Sequence, residues 1–288
     1  MKSNSYKKIQ SKGIKVHNLK LDRSSLNPFK IINSFISIFS LILKVRPNIV
    51  HSITIKPVIL GGIATRFFKN TKFVASISGL GYIFSNRNHK SFLKIFIVKL
   101  LYKIALNHKN LKIIFQNEYD KETILKLCKI SNVSSLLIKG SGVDLKKYKF
   151  KPIPEGKPII LFASRLLISK GIREFVSSAK YNPNLNFVVA GKLDEGNPEV
   201  ISKEELISWE AQGIIKYIGF QKDIINLISK SSIVVLPSFY GEGLPKILIE
   251  AAALGRPIIT TDHPGCRDAI LNNKSGILVP IKDVKALS

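Results

Sequence analysis

Two glutamates eight positions apart, Glu242 and Glu250, sit in PSFYGEGLPKILIEAAALGRPIITTDHPGCR, residues 237–267. An ionised carboxylate only accepts hydrogen bonds, so such a pair suits a ligand rich in hydroxyls. Upstream, Arg165 and Lys170 stand five apart in SRLLISKG, where two cations across a strand-to-helix turn can converge on one phosphate beside the amides of a helix N-terminus. The four side chains together suit a phosphorylated, hydroxyl-rich molecule. Blander readings remain open at this level: Lys246 and Glu250 as an i,i+4 surface pair, Glu242 as a solvated loop residue, and Arg165 and Lys170 as two solvated cations.

The elements that must position these residues are readable nearby. The uninterrupted apolar run at 233–236 predicts a strand covered on both faces. Gly241 and Gly243 permit close backbone approach, and Pro245 suits a first helical position, so a helix is expected from near Leu244. Its buried stripe is Ile247, Leu248, Ala251 and Ala252, with Glu250 at the edge. A strand at 158–163 leads into Arg165, others are expected at 186–190, 214–218, 256–260 and 276–280, and a helix at 198–211. Gly219 and Phe220, after the 214–218 strand, fall on the side of Arg165.

The first half reads as βαβ units with strands at 13–16, 48–52, 72–77, 111–116 and 135–138. A helix from 26–28 carries the longest apolar candidate, 31–43, which is too short to span a bilayer and contains Asn33 and several serines. Gly79 and Gly81, in SGLGYIF (78–84), mark a turn at the carboxyl end of a strand, where open α/β sheets place ligands. The stretch 90–112 intersperses Lys90, Lys94, Lys99, Lys103, Lys109 and Lys112 with apolar residues. It fits either a core helix with snorkelling lysines or a helix lying on anionic lipid.

With 288 residues and 45% hydrophobic content, the chain accommodates two α/β domains, expected at 1–145 and 158–288 around a lysine- and proline-rich crossing at 146–157. Charge divides the chain unevenly. Residues 1–150 hold 28 basic and 5 acidic side chains; residues 151–288 hold 17 and 14. A basic surface attracts nucleic acid, anionic lipid or phosphorylated substrates, but no aromatic stacking platform accompanies it, so nucleic acid is not the expected partner. Two distant cysteines, Cys128 and Cys266, and five histidines without ligand spacing support neither a disulfide framework nor a metal site.

The span from Glu242 through Glu250 to Ala251-Ala252 and Gly255-Arg256-Pro257 closely resembles the signature of family 4 retaining glycosyltransferases of the GT-B fold, two Rossmann-like domains facing a cleft. The resemblance implies that Glu242 contacts donor-sugar hydroxyls and Glu250 the ribose hydroxyls of the nucleotide. It likewise makes Arg165 and Lys170 a clamp for the donor diphosphate, stabilising the departing nucleotide. Gly142-Val143-Asp144 resembles the family's domain junction. The segments 51–57 and 78–84 resemble a subgroup that builds bacterial surface polysaccharides on lipid carriers. Ser78 stands where many members carry a histidine, so no catalytic histidine is assigned, and His51 is as well explained by a structural role.

The expected donor site is therefore Gly79, Gly81, Arg165, Lys170, Gly219, Phe220, Glu242, Gly243, Leu244, Pro245 and Glu250, with Arg165, Lys170 and Glu242 as the catalytic group. The resemblance implies a UDP-sugar co-substrate, with N-acetylhexosamines among the candidates, no metal and no further cofactor. It also implies a polyprenyl-diphosphate-linked glycan acceptor and a cytoplasmic, peripheral position at the inner face of an anionic membrane. Relative to the family, a first strand with its glycine loop and some final helices are expected beyond the two ends as written. A truncated or non-catalytic nucleotide-sugar-binding protein is the alternative, and a basic nucleic-acid-binding protein the remote one.

Overall fold

Short apolar runs alternating with helical patterns give parallel strands joined by helical crossovers, and the computed structural model contains two all-parallel sheets, as the GT-B resemblance implies. It describes residues 4–21, 27–81, 92–130 and 134–288. In the first half, α1 (Asn4–Gln10), α2 (Pro28–Val45), β1 (Ile49–Ile53), α3 (Ile55–Thr65), β2 (Lys72–Ile77), α4 (Phe92–Leu106), β3 (Leu111–Phe115), α5 (Glu118–Cys128) and β4 (Ser134–Leu137) follow one another. Their sheet has the order β1-β2-β3-β4. Phe73, Ile77, Ile113 and Phe115 alternate inward from its central strands and meet Tyr102 of α4 and Ile124 of α5. Asn117 caps α5: its Oδ1 accepts from the Asp120 amide at 2.7 Å and its amide donates to the Asp120 carboxylate at 2.9 Å.

The second half comprises β5 (Ile159–Ala163), α6 (Ile172–Tyr181), β6 (Asn186–Ala190), α7 (Lys203–Ala211), β7 (Lys216–Tyr217), α8 (Ile224–Ser229), β8 (Ile233–Leu236), α9 (Lys246–Ala253), β9 (Ile258–Thr261), β10 (Gly276–Val279) and α10 (Val284–Leu287). The sheet order is β10-β9-β8-β5-β6-β7. Strands after β5 are laid first on one side of it, then on the other, and the reversal falls between β5 and β8. Ligands of open α/β sheets bind outside the carboxyl ends of the strands at such a reversal. Phe162, Phe175 and Phe187 pack in tilted and edge-on contacts, with ring centroids 5.4 and 5.2 Å apart, in the core beneath.

Several expectations need correction. Residues 13–16 form no strand: they follow a turn after α1, Ile14 is exposed, and no neighbouring strand pairs with them. The helix expected over 198–211 begins at Lys203, after Ser202 accepts from the Glu205 amide at 3.0 Å as its cap. The 214–218 strand shrinks to β7, at a sheet edge with only β6 beside it. Pro245 is the N-cap of α9, extended at φ −60°, ψ 122°, and not its first helical residue. Ala252 is exposed, and the buried stripe is Leu248, Ala251 and Leu254, with Glu250 buried beside it.

The 31–43 run extends into an 18-residue helix, α2, which by length and composition alone could cross a bilayer. Ser34, Ile38 and Ile42 nevertheless bury one face, in a cluster shared with Leu60 and Ala64 of α3. The readings placed on Leu26, Tyr82, Ile83, Phe84 and Lys90 lie outside the described residues.

Candidate functional site

The carboxyl ends of β5 and β8 carry the two charged motifs to the point where the sheet reverses. After β5 the chain reaches Arg165 and then Lys170, and Gly171 follows in the left-handed region at φ 77°. A side chain at Gly171 would collide with Pro237, so this glycine lets the loop after β8 pack on the Lys170 turn. The Phe239 amide then donates to the Ser169 carbonyl at 2.9 Å. Loop and turn are thereby tied together, bringing Lys170 against Glu242.

Lys170, only 5% exposed, forms an ion pair with Glu242 Oε1, and the Ser238 hydroxyl donates to the same oxygen at 3.2 Å. Glu250 is held in a parallel way. The Tyr148 hydroxyl donates to Glu250 Oε1 at 2.8 Å and Lys246 Nζ stands 3.1 Å from the same atom. Each carboxylate thus has one oxygen fixed by a lysine and a hydroxyl, and no described residue donates to the other. Two preorganised acceptor oxygens remain, as recognition of hydroxyls requires. The i,i+4 pair of Lys246 and Glu250 does form, but around a buried carboxylate.

Arg165 pairs with Asp194 at 3.0 Å, and burial working against its charge is more than offset by hydrogen bonds to Asp194 and Tyr240, which raise its pKa. Arg165 and Lys170 lie 5.5 and 5.1 Å from the centroid of the Tyr240 ring. The two cations therefore share one aromatic ring. Arg165, Phe220 and Glu250 line one cavity of about 570 Å³ together with Gly191, Asp194 and Lys246. Lys170 and Glu242 stand outside that lining, joined to Arg165 through Tyr240. Phe220 is exposed and stacked 4.7 Å from Lys192 Nζ, and the space around Gly219 is open.

The remaining expected residues meet other stretches of the chain in this structure. A Cβ on Gly79, at φ 118°, would stand 2.5 Å from Glu242 Cα. The Gly81 amide donates to the Gly241 carbonyl at 2.6 Å, and the Gly243 amide to the Ser78 carbonyl at 3.0 Å. A side chain on Gly243 would strike Gln116, and one on Gly140 would meet Leu244. The close approach that these glycines permit is taken up by the chain itself, where the first half grips the Glu242 loop. Pro245 is buried at the start of α9. His51 Nε2 is 2.7 Å from Ser76 Oγ, a contact between β1 and β2.

Sequence reasoning missed Tyr148, Ser238, Tyr240 and Asp194. Ser238 and Tyr240 were in view beside Glu242 but carry no charge; Tyr148 lies in the lysine-rich crossing, where nothing local marks it.

The profile described as Glycosyl transferases group 1 matches residues 143–288, and one described as Glycosyl transferase 4-like matches residues 1–117. The N,N'-diacetylbacillosaminyl-diphospho-undecaprenol alpha-1,3-N-acetylgalactosaminyltransferase of Campylobacter jejuni is 33% identical, over 98% of this chain and 76% of the relative. The UDP-Gal:alpha-D-GlcNAc-diphosphoundecaprenol alpha-1,3-galactosyltransferase of Escherichia coli is 26% identical, over 90% and 69%. Among solved structures, a glycosyltransferase from Rickettsia africae is similar with a TM-score of 0.71 at 25% identity, over 99% and 76%.

Proposed function

We propose, for a chain that belongs to the group 1 glycosyl transferases, the transfer of an N-acetylhexosamine or related hexose from its UDP-sugar to a polyprenyl-diphosphate-linked glycan, with retention of anomeric configuration. The observation that carries this is the pair of half-held glutamates at the sheet reversal. Glu250 Oε2 opens beside the cavity for ribose hydroxyls, and Glu242 Oε2 accepts from the sugar. Arg165 and Lys170 face the donor diphosphate: each has N–H donors beyond the one given to its carboxylate partner. As the bond from the anomeric carbon to the diphosphate breaks, negative charge gathers on the leaving group, and these fixed cations stabilise it. The acceptor hydroxyl forms the new bond on the same face, and its proton passes to a departing diphosphate oxygen. No protein base is needed, consistent with serine at position 78. Residues 158–288 then form the donor domain, 1–145 the acceptor domain and 146–157 the crossing.

The first half also offers a face for an anionic membrane on the cytoplasmic side. Phe29, Ile32, Ile36 and Leu43 of α2 and Phe96, Ile97, Leu100 and Ile104 of α4 are exposed, and α3 packs against both helices. Lys44, Lys99 and Lys103 lie on the same helices. Apolar residues among lysines fit the interface of an acidic bilayer.

The reaction is tested by incubating the purified chain with radiolabelled UDP-N-acetylgalactosamine and an undecaprenyl-diphosphate-linked N-acetylhexosamine. Label in the lipid fraction, in an α linkage, is expected; nucleotide binding without transfer from any UDP-hexose would leave the non-catalytic reading. For the membrane face, Lys99→Glu with Lys103→Glu should weaken binding to phosphatidylglycerol vesicles at least about tenfold, since each basic residue contributes about 1 kcal/mol. Unchanged binding would remove α4 from that face.

A further inference from the structure

We propose that Tyr148 is a positioning residue for the donor nucleotide: its hydroxyl fixes Glu250 Oε1 so that Oε2 stays turned to the cavity and accepts from a ribose hydroxyl. This rests on the reading of Glu250 given above and adds a residue from the crossing between the halves. A glutamate side chain has three rotatable bonds, and an unheld carboxylate at the cavity wall would sample several orientations. Here the carboxylate is buried, with 7% of the side chain exposed, and one oxygen accepts from Tyr148 and forms an ion pair with Lys246.

The two holds are unequal. Lys246 is 62% exposed and reaches Glu250 on a long flexible stem. Tyr148 packs its ring against the second-half core, and its amide donates to the Asp144 carbonyl at 2.9 Å. A tyrosine has two side-chain torsions, so its hydroxyl is the more rigid anchor. Burial and the neighbouring Glu250 carboxylate push the phenol up to about 12, which keeps it a donor at neutral pH.

The crossing that carries Tyr148 is itself fixed to the second half. Arg256, 2% exposed, donates to the Pro152 carbonyl at 2.7 Å, to that of Lys151, and to Ser231 at 3.2 Å. Tyr148 therefore approaches Glu250 from an anchored segment. Holding an acceptor in its bound orientation before the ligand arrives raises affinity by lowering the ordering cost of binding.

The test is Tyr148→Phe in the full chain, which keeps the ring and removes only the hydroxyl, with calorimetric titration of UDP and of inorganic pyrophosphate. The UDP dissociation constant should rise about tenfold, the loss of one hydrogen bond to a charged group, and pyrophosphate binding should not change. Donor KM should rise while kcat at saturating donor stays within about twofold. Glu250→Gln tests the underlying reading separately, and Tyr148→Phe in that background should add no further loss. If Glu250→Gln weakens UDP and Tyr148→Phe does not, this proposal alone is overturned. Equal losses for UDP and pyrophosphate would assign Tyr148 a structural role and overturn it too. If Glu250→Gln leaves UDP affinity intact, the ribose reading falls and takes this one with it.

Discussion

The first sheet runs β1-β2-β3-β4 without reversing, whereas the second reverses between β5 and β8, and the two halves divide the site accordingly. The four charged residues assigned to the donor come from the second half, three of them borne on the chain that leaves the two strands at the reversal. What the first half brings to the Glu242 loop is uncharged: the Ser78 carbonyl, the Gly81 amide, the room left at Gly79 and Gly140, and the Gln116 side chain. Asn117, which caps α5, also donates to the Glu242 carbonyl at 3.5 Å. The halves also differ in charge, 28 basic against 5 acidic residues in 1–150 and 17 against 14 in 151–288. The basic half does not supply the cations proposed to face the phosphates. Lys44, Lys99 and Lys103 instead stand on α2 and α4, which also carry exposed apolar residues, and that is the ground on which a membrane face is proposed.

The comparison breaks most sharply at Lys170. Lys170→Ala removes a fixed cation from the site and leaves Glu242 without its partner, so kcat for transfer should fall about a thousandfold. Removing one member of a buried pair should also cost about 3 kcal/mol, read by urea unfolding. A loss under tenfold would return the chemistry to other residues.

Gly79→Ala tests the contribution of the first half, because its methyl would press on Glu242 Cα from a backbone at φ 118°. We expect transfer to fall about 10- to 100-fold, as for misplacement of a catalytic group, and stability by about 2–3 kcal/mol. Gly142→Ala is the control, since at φ 69° with open space around it only backbone strain of about 1 kcal/mol applies and transfer should persist. Equal behaviour of the two variants would show that the first half does not shape the loop.

The smallest effect is electrostatic and crosses between the halves. Burial raises the Asp120 carboxyl from its ordinary 3.8 to about 6, the Asn117 hydrogen bond opposing and Asp268 of the second half adding to the rise. A folded pKa above the unfolded one means that the folded state binds the proton more tightly. Stability should therefore fall as pH rises from about 4 to about 6 and level off above. Asp120→Asn should flatten that slope in thermal midpoints measured across the range, and Asp268→Asn should reduce it slightly.

Local patterning made part of this molecule legible. The uninterrupted apolar run of β8 gave that strand its bounds, because a strand buried on both faces leaves no periodicity to misread. Residue type and spacing put Arg165, Lys170, Glu242 and Glu250 in view, since cations suit phosphate and carboxylates suit hydroxyls, and the family resemblance singled them out. Pairing was less visible: 13–16 has a strand's composition but no neighbour, and β7 is cut short at an edge.

The tertiary structure alone decided which glutamate oxygen is held and which is open, because the holds come from Lys170, 72 positions from Glu242, and Tyr148, 102 positions from Glu250. It also decided what Gly79 is for. A position that admits only glycine looks the same in sequence whether a ligand or another stretch of chain fills the space, and here the chain fills it. Types and spacings record what each residue can do within a few bonds; which partner it meets is set by packing between elements that the sequence holds far apart.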